Sequence, residues 1–441
     1  MSDKRAQLAA LLAQRRDIGP AGTYQTAMAL HQLFVPDSVV NNMRSTVRFL
    51  GPLDEDALRQ SLQAIVDRHP ALRTVYQLAG SKLVQKAKPA AEVAFDVVDA
   101  SAWSVEAFRQ RLIEDVNRPF DVSDGPVFRA RLYRRRPDDA ILQVEVHHSV
   151  CDLWSLEIVL AEVESRPVGP PPATYIDYVT WETAWLRSAS GKAAEAWWHN
   201  TLDGAVPTAL PGSDPEAPAS HLLWSVPSPR LTEFARRQGV TVFTVVLSVL
   251  QAALARLLDR TDVSIASPTA NRPAARFERS VGFFANPVTY RQRLEEGTSW
   301  SDLLARNRRY LGEALDHGSF PVSRVSPSFG ETALPQTDVV FMFQQYQEAH
   351  WTDETVVDRE FLGLRSAGLA RGPGGLREVV FIERASTVAP LMFEVIELKR
   401  CLQIVVCYRS GCLSSAQVQG LVKGFLFTLD RAVRHPEENV V

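Results

Sequence analysis

At 441 residues the chain is longer than one ordinary hydrophobic core organises, so two lobes are expected. An apolar share of 46% with 22% charged residues is the composition of a soluble globular protein. A net charge of −3, with both signs interspersed, gives none of the concentrated basic surface that nucleic acid would require. The four cysteines, Cys151, Cys401, Cys407 and Cys412, fit no metal-ligand spacing, so no metal is expected. Met1 to Arg16 is charged and amphipathic without the apolar stretch of a signal peptide, and no window supplies the roughly 18 apolar residues of a membrane helix. A cytoplasmic protein without a membrane partner follows.

Read in chain order, Asn42–Leu50 is a strand, and Asp54–His69 has helical spacing through Leu58, Leu62, Ile65 and Val66. Short strands at Leu72–Gln77 and Lys82–Gln85 flank the turn signal Gly80-Ser81. A helix is expected over Ser104–Asn117, capped by Ser104. Strands Phe128–Tyr133 and Ala140–Val146 come next, with Arg134, Arg135 and Arg136 placed in a solvated hairpin loop between them, and then helix Trp154–Glu164. Pro167–Pro172 holds four prolines and a glycine, which reads as an extended linker. The cut is therefore set near residue 170, giving lobes 1–170 and 171–441.

Beyond the linker, a Trp-rich helix runs from Tyr175 to Leu202 with a break near Ser188–Gly191, and Pro207–Pro218 is loop. Helix Thr241–Leu258, strand Asp262–Ser267, helix Trp300–Leu315, strands Asp338–Gln344, Leu391–Leu398 and Cys401–Arg409, and helix Ser414–Arg434 complete the chain. The class is α/β, with mixed sheets flanked by helices.

The chemistry concentrates in Ile141–Glu157, where an apolar strand runs into His147-His148, a short turn, Asp152 and a helix. Adjacent strand residues face opposite sides, so one histidine can be buried while the other is accessible. Taken alone, the segment also reads as two ordinary histidines ending a strand, with Asp152 capping the next helix. Cys151 reads as a small buried thiol, and no nucleophile elbow surrounds Ser149 or Ser155.

His147-His148-Ser149-Val150-Cys151-Asp152 fits the HHxxxD core of the HHxxxDG motif of nonribosomal-peptide-synthetase condensation domains and related acyltransferases. The resemblance extends to Gly51-Pro52-Leu53-Asp54 through His69-Pro70-Ala71-Leu72-Arg73-Thr74, and to Arg118-Pro119-Phe120-Asp121 through Gly125-Pro126-Val127-Phe128-Arg129. It continues in Tyr175-Ile176-Asp177-Tyr178 with Trp181, in Trp197-Trp198 and in Leu202-Asp203-Gly204-Ala205. Thr241-Val242-Phe243, Ser267-Pro268-Thr269-Ala270-Asn271-Arg272 and Val281-Gly282-Phe283-Phe284-Ala285-Asn286 follow in the family's order.

The resemblance implies two chloramphenicol-acetyltransferase-like lobes in a V-shaped pseudo-dimer, monomeric, with a tunnel at their junction. It implies condensation of an acyl thioester, carried on the phosphopantetheine of a carrier protein, with an amine or alcohol nucleophile, and no bound cofactor. His148 becomes the catalytic residue, as general base or as a positioner of the nucleophile. His147 becomes structural, and Asp152 pairs with Arg272 to shape the site. Leu153, Trp154, Ser155 and Asn286 fall at the tunnel or between lobes, although Asn286 also reads as a turn residue before Pro287.

Leu153 departs from the family's glycine, which puts the width of the tunnel in question. Gly22–Met28 lacks the usual S-x-x-Q-x-R-x-W, and Ala389–Glu394 replaces F-D-L-x-L. Nothing after Asn439 resembles an adenylation or carrier domain, so a free-standing enzyme is expected. A CoA-dependent acyltransferase is a second expectation; it would need a basic nucleotide pocket, for which no Arg/Lys cluster lies near the motif. A non-catalytic docking domain is the third.

Overall fold

The computed structural model describes residues 17–164, 173–212, 217–325, 337–345, 360–361, 364–372, 375–381, 387–397 and 401–440. The charged start at Met1–Arg16 and the Pro167–Pro172 linker lie outside them. The chain forms two compact units, one of residues 1–185, 270–285 and 349–383 and the other of the remainder.

In the first unit, β1 (Ile18–Pro20) precedes α1 (Thr23–Phe34), β2 (Asn42–Leu50), α2 (Glu55–Arg68), β3 (Thr74–Ala79), β4 (Lys82–Ala87) and β5 (Phe95–Asp99). Then come α3 (Val105–Val116), β6 (Phe128–Arg136), β7 (Asp139–His147), α4 (Leu153–Glu164) and α5 (Tyr175–Leu186). In the second unit the order is α6 (Ala189–Leu202), β8 (Ala219–Pro227), α7 (Pro229–Arg237), α8 (Val242–Leu258), β9 (Asp262–Thr269), β10 (Asn286–Arg293), α9 (Trp300–Asp316) and β11 (Val339–Gln345). The chain returns to the first unit for β12 (Glu360–Phe361), β13 (Leu364–Gly372) and β14 (Gly375–Phe381). It ends in the second with β15 (Leu391–Glu397), β16 (Cys401–Arg409) and α10 (Ser415–Arg434).

The first unit's main sheet runs β12-β13-β14-β2-β7-β6-β5, antiparallel except for the parallel pair β5–β6. Every residue of β7 is buried, as expected of a central strand covered on both faces, and its last residue is His147. Helix α2 buries Leu58, Leu62, Ile65 and Val66, the residues whose spacing predicts it, and Ser104 caps α3 by accepting from the Ala107 N–H. The second unit's sheet runs β10-β9-β11-β15-β16-β8, mixing parallel and antiparallel pairs. Its central helix α8 buries thirteen residues from Val242 to Ala255, which explains its nearly uninterrupted apolar sequence. No single helix among the described residues is long and apolar enough to cross a membrane.

Two sequence expectations give way here. The cut near residue 170 does not divide the packing. Helix α5 stays with the first unit because Tyr175 and Tyr178 pack their rings on Phe284, at 5.2 and 4.8 Å, and β14 pairs with β2 from Leu376–Leu50 to Val379–Val47. A break in composition marks where chain is loose, whereas packing follows side chains recruited from far along the sequence. The arginine run is not a loop either: Arg134, Arg135 and Arg136 belong to β6, and the turn is confined to Pro137-Asp138. Arg135 donates to Asp139 at 2.9 Å and Arg48 to the same carboxylate at 2.7 Å, so Arg135 is paired within the sheet, while Arg134 and Arg136 are solvated as expected but on a strand.

A side chain at Gly212 would collide with the second unit's backbone, meeting the Gly411 carbonyl oxygen and lying 2.6 Å from the Cys412 Cα. Neither neighbour can rotate away. Gly212→Ala is therefore expected to cost at least about 2 kcal/mol, read as a fall of roughly 5 °C or more in the melting temperature of the second unit.

Candidate active site

The buried strand β7 delivers His147 and His148 to its end, and a single 3₁₀ turn, His148–Val150, reverses the chain before α4. His147 is fully buried. Its Nδ1 accepts from the Ser149 hydroxyl at 2.7 Å and the Ser149 N–H at 3.3 Å, so the proton sits on Nε2 and is donated to Gln32 Oε1 at 3.3 Å. The Gln32 amide is itself oriented by donating to the carbonyls of Pro36 and Ser38. Burial, with smaller repulsions from His148 and His31, pushes the His147 pKa down to about 3, and the ring is held neutral.

His148 has the opposite tautomer. Its ring is half-buried, with Nδ1 2.8 Å from the carbonyl oxygen of Cys151. A carbonyl only accepts, so Nδ1 carries the proton and, in the neutral ring, the lone pair is on Nε2. The edge of the ring packs on Phe283, centroids 5.0 Å apart, and the backbone N–H donates to Asn41.

Behind this turn the Asp152 carboxylate accepts five hydrogen bonds while only 1% of the residue is exposed. Arg272 donates two, at 3.0 and 3.1 Å, and the backbone N–H groups of Ser155, Phe284 and Ala285 donate at 2.7, 3.0 and 3.0 Å. Asp152 thereby caps α4 and ties it to the segment at 282–285, and a carboxylate at a helix N-terminus also meets the favourable end of the dipole. Arg272 reaches it because Asn271 takes a left-handed backbone, φ 41°, which asparagine tolerates, while its amide donates to the Tyr178 hydroxyl at 2.8 Å. The guanidinium also lies over the Phe284 ring at 4.5 Å and the Trp154 ring at 5.5 Å.

The expected wall residues separate. Ser155 is fully buried; its hydroxyl donates to the Gly282 carbonyl at 2.8 Å and accepts from Arg272 and the Gly282 N–H, so it braces the ion pair and lines no open surface. Asn286 is buried in the second unit, its amide donating to the carbonyls of Gly318 and Phe320, which makes it a brace for that turn. Leu153 is half-buried as the first residue of α4, with no positive φ, so the helix asks for none of glycine's freedom there. Trp154 is half-exposed, its indole N–H donating to the Glu278 carbonyl. Cys151 is buried, and desolvation raises its thiol pKa well above the ordinary value, which removes it as a nucleophile.

Sequence reasoning misses the support beneath the turn. The Ser149 carbonyl accepts from both the Tyr76 hydroxyl and the Gln25 amide at 3.1 Å, fixing the turn that carries His148. The signal is present in α1: Gln25, Ala29 and Gln32 are buried at i, i+4 and i+7, two glutamines on a core-facing stripe. Among the described residues no group of three or more His, Cys, Asp and Glu side chains gathers as a metal site would need.

The ion pair and the buried ring both have measurable consequences. Asp152→Ala leaves Arg272 buried without its anion and should cost roughly 3–5 kcal/mol, while Asp152→Asn, which keeps one oxygen acceptor, should cost less. Urea unfolding measures both, and equal stabilities would contradict the assignment. His147, with a folded pKa below its unfolded value of about 6.5, binds fewer protons folded than unfolded. Its contribution is intact above that pH and is lost as pH falls toward 3. The first unit should lose on the order of 2 kcal/mol between pH 7.5 and 5. In His147→Gln, less stable at pH 7.5, that slope should flatten.

The model of the condensation domain family matches residues 16–441. Among curated relatives, phosphinothricin tripeptide synthetase PhsC of Streptomyces viridochromogenes is 30% identical over 371 residues, 77% of this chain and 34% of its own length. Malpinin synthetase of Mortierella alpina is 30% identical over 333 residues, 70% of this chain and 4% of its own length. The chain thus spans about a third or less of these relatives. Of solved structures, the condensation domain from Monacolin K polyketide synthase MokA has a TM-score of 0.81 at 19% identity, covering 96% of this chain and 99% of that one. The X-domain from teicoplanin biosynthesis has a TM-score of 0.80 at 20% identity, covering 96% of each. At these identities the structural likeness speaks to the fold, and the sequence match over nearly the whole length speaks to descent: the chain belongs to the condensation domain family.

Proposed function

We propose that this chain is an acyltransferase that joins an acyl thioester on the phosphopantetheine of a carrier protein to an amine or alcohol, with His148 beside the nucleophile. The observation that carries the reading is the bond from His148 Nδ1 to the Cys151 carbonyl, which leaves the basic lone pair on Nε2 of a ring braced by Phe283. In the step proposed, the nucleophile's lone pair attacks the thioester carbonyl carbon and the carbonyl electrons move to oxygen. As the intermediate collapses, the carbon–sulfur bond breaks. Nε2 takes the proton from the attacking N–H or O–H and returns it to the departing thiolate, so no proton is gained or lost overall. An alcohol needs this transfer more than an amine does, since a neutral amine attacks before losing its proton.

The descent from synthetase domains supports carrier proteins as the partners and the thioester as the donor. The competing readings are separated by substrate. Turnover from acyl-CoA alone would favour a CoA-dependent acyltransferase, and no turnover with any donor would favour a domain that recruits a partner without chemistry.

The test is to incubate the protein with an acyl-carrier thioester and a panel of carrier-bound and free amines and alcohols, reading products by intact mass. His148→Ala is expected to lower the rate by about a hundredfold or more at unchanged thermal stability. Product formed equally fast by that variant would remove the catalytic role.

A further inference from the structure

The contacts that place Phe283 beside His148 belong to its neighbours in the chain. Asp152 grips the segment 282–285 at three points: its N–H donates to the Gly282 carbonyl, and its carboxylate accepts from the Phe284 and Ala285 N–H groups, all at 3.0 Å. The Ser155 hydroxyl donates to the same carbonyl at 2.8 Å and accepts from the Gly282 N–H at 3.1 Å. On Gly282 the Tyr175 ring closes so tightly that a Cβ there would lie 2.7 Å from its Cγ. Phe284 is 1% exposed, its ring 5.2 and 4.8 Å from those of Tyr175 and Tyr178 and 4.5 Å from the Arg272 guanidinium. With both neighbours fixed in this way, Phe283 is carried to the imidazole and meets it with centroids 5.0 Å apart and planes at 80°.

His148 needs that wall. In water a neutral histidine ring favours the proton on Nε2, whereas the bond from Nδ1 to the Cys151 carbonyl, at 2.8 Å, selects the other tautomer. The selection holds for one orientation of the ring. Half a turn about the Cβ–Cγ bond puts a carbon where Nδ1 was, breaks the hydrogen bond and frees the proton to move to Nε2. Phe283 is 8% exposed, so its ring is itself confined, and its near-perpendicular packing favours the orientation in place. Where the wall is absent, water solvates the imidazole and the turned form competes.

We infer that Phe283 is a positioning residue for His148, and that it transmits the integrity of the Asp152–Arg272 pair to the tautomer of the imidazole. Loosening the segment at Asp152 lets Phe283 retreat, and the Nδ1–H form is lost with it. Arg272 acts through the same route, since it holds the Asp152 carboxylate that the Phe284 and Ala285 amides grip. The effect on turnover rests on the proposed role of His148; the effect on the tautomer does not.

Nuclear magnetic resonance of the histidine-labelled full chain reads this directly. At about pH 8.5, above the ordinary histidine range, ring nitrogen shifts give the ratio of Nδ1–H to Nε2–H, and the His148 signals are those absent from His148→Gln. The wild-type chain is expected to show His148 chiefly as Nδ1–H. Phe283→Leu, which keeps an apolar filling and the fold, should lower the ratio by about fivefold or more, and Phe283→Ala by at least as much. Asp152→Asn should lower it by about threefold or more in the wild-type chain and cause no further fall in Phe283→Leu. A ratio unmoved in Phe283→Leu overturns the inference, as does an Asp152→Asn effect that is nil in the wild-type chain or equal in the two backgrounds. Turnover separates the inference from the proposed reaction: with His148 as the proton carrier, kcat should fall in Phe283→Leu while KM for the acyl-carrier thioester stays. A shifted ratio with unaltered turnover removes His148 from the reaction and leaves the role of Phe283 intact. An unmoved ratio, with activity lost in His148→Ala, does the reverse.

Discussion

The Asp152 carboxylate, buried against Arg272 and accepting three backbone N–H groups besides, is the constraint on which the rest of the first unit's site depends. A charge removed from water at this depth is tolerated only when its partners are all in place, so the position of each partner is dictated in turn. The first turn of α4 must present the Ser155 N–H there, the Phe284 and Ala285 amides must point inward, and Asn271 must turn left-handed to bring Arg272 across. Phe283, adjacent to those amides, then receives the edge of His148. The imidazole is placed by an arrangement whose energy lies mostly outside it.

The two histidines divide the work of proton control by burial. His147 has both ring nitrogens engaged by Ser149 and Gln32 in surroundings that refuse a charge, so it fixes geometry. His148, half-buried and donating through Nδ1 to a carbonyl, is set to present a lone pair. Neighbours in sequence thus hold opposite tautomers, because the chain leaves the strand between them and a hydroxyl donates to Nδ1 of one ring while a carbonyl accepts from Nδ1 of the other.

Much of this is legible in the sequence. The alternation of helices and strands comes from local pattern, whereas the role of His148 and the pairing of Asp152 with Arg272 follow only from the resemblance to condensation domains. What the sequence does not carry is what packs against a given residue, whether from far along the chain or from across a turn. What Ser155 and Asn286 bond to is not readable from their position in a motif: Ser155 bonds Gly282, and Asn286 bonds the turn at Gly318–Phe320, which agrees with its reading as a turn residue. Arg134–Arg136 looks like a loop because three arginines in a row seem to demand water, yet Asp139 across a two-residue turn gives Arg135 a partner inside the sheet. The segment of β14 carries no pattern strong enough to suggest a strand, and the pairing of Leu376–Val379 with β2 is a fact of tertiary structure.

That pairing bears on how the chain is made. Strand β2 is among the first elements to leave the ribosome, but β14, which covers its free edge, is more than 300 residues behind it, and the Arg272 segment that neutralises Asp152 is 120 residues behind the acid. At translation speeds of about 5–20 residues per second, the edge waits on the order of tens of seconds with unsatisfied backbone groups, a template for wrong partners. The contacts that complete the first unit are among the longest-range a chain of this size can make, which slows closure of the loop. Cellular yield is therefore governed by protection of a nascent edge as much as by the stability of the finished fold.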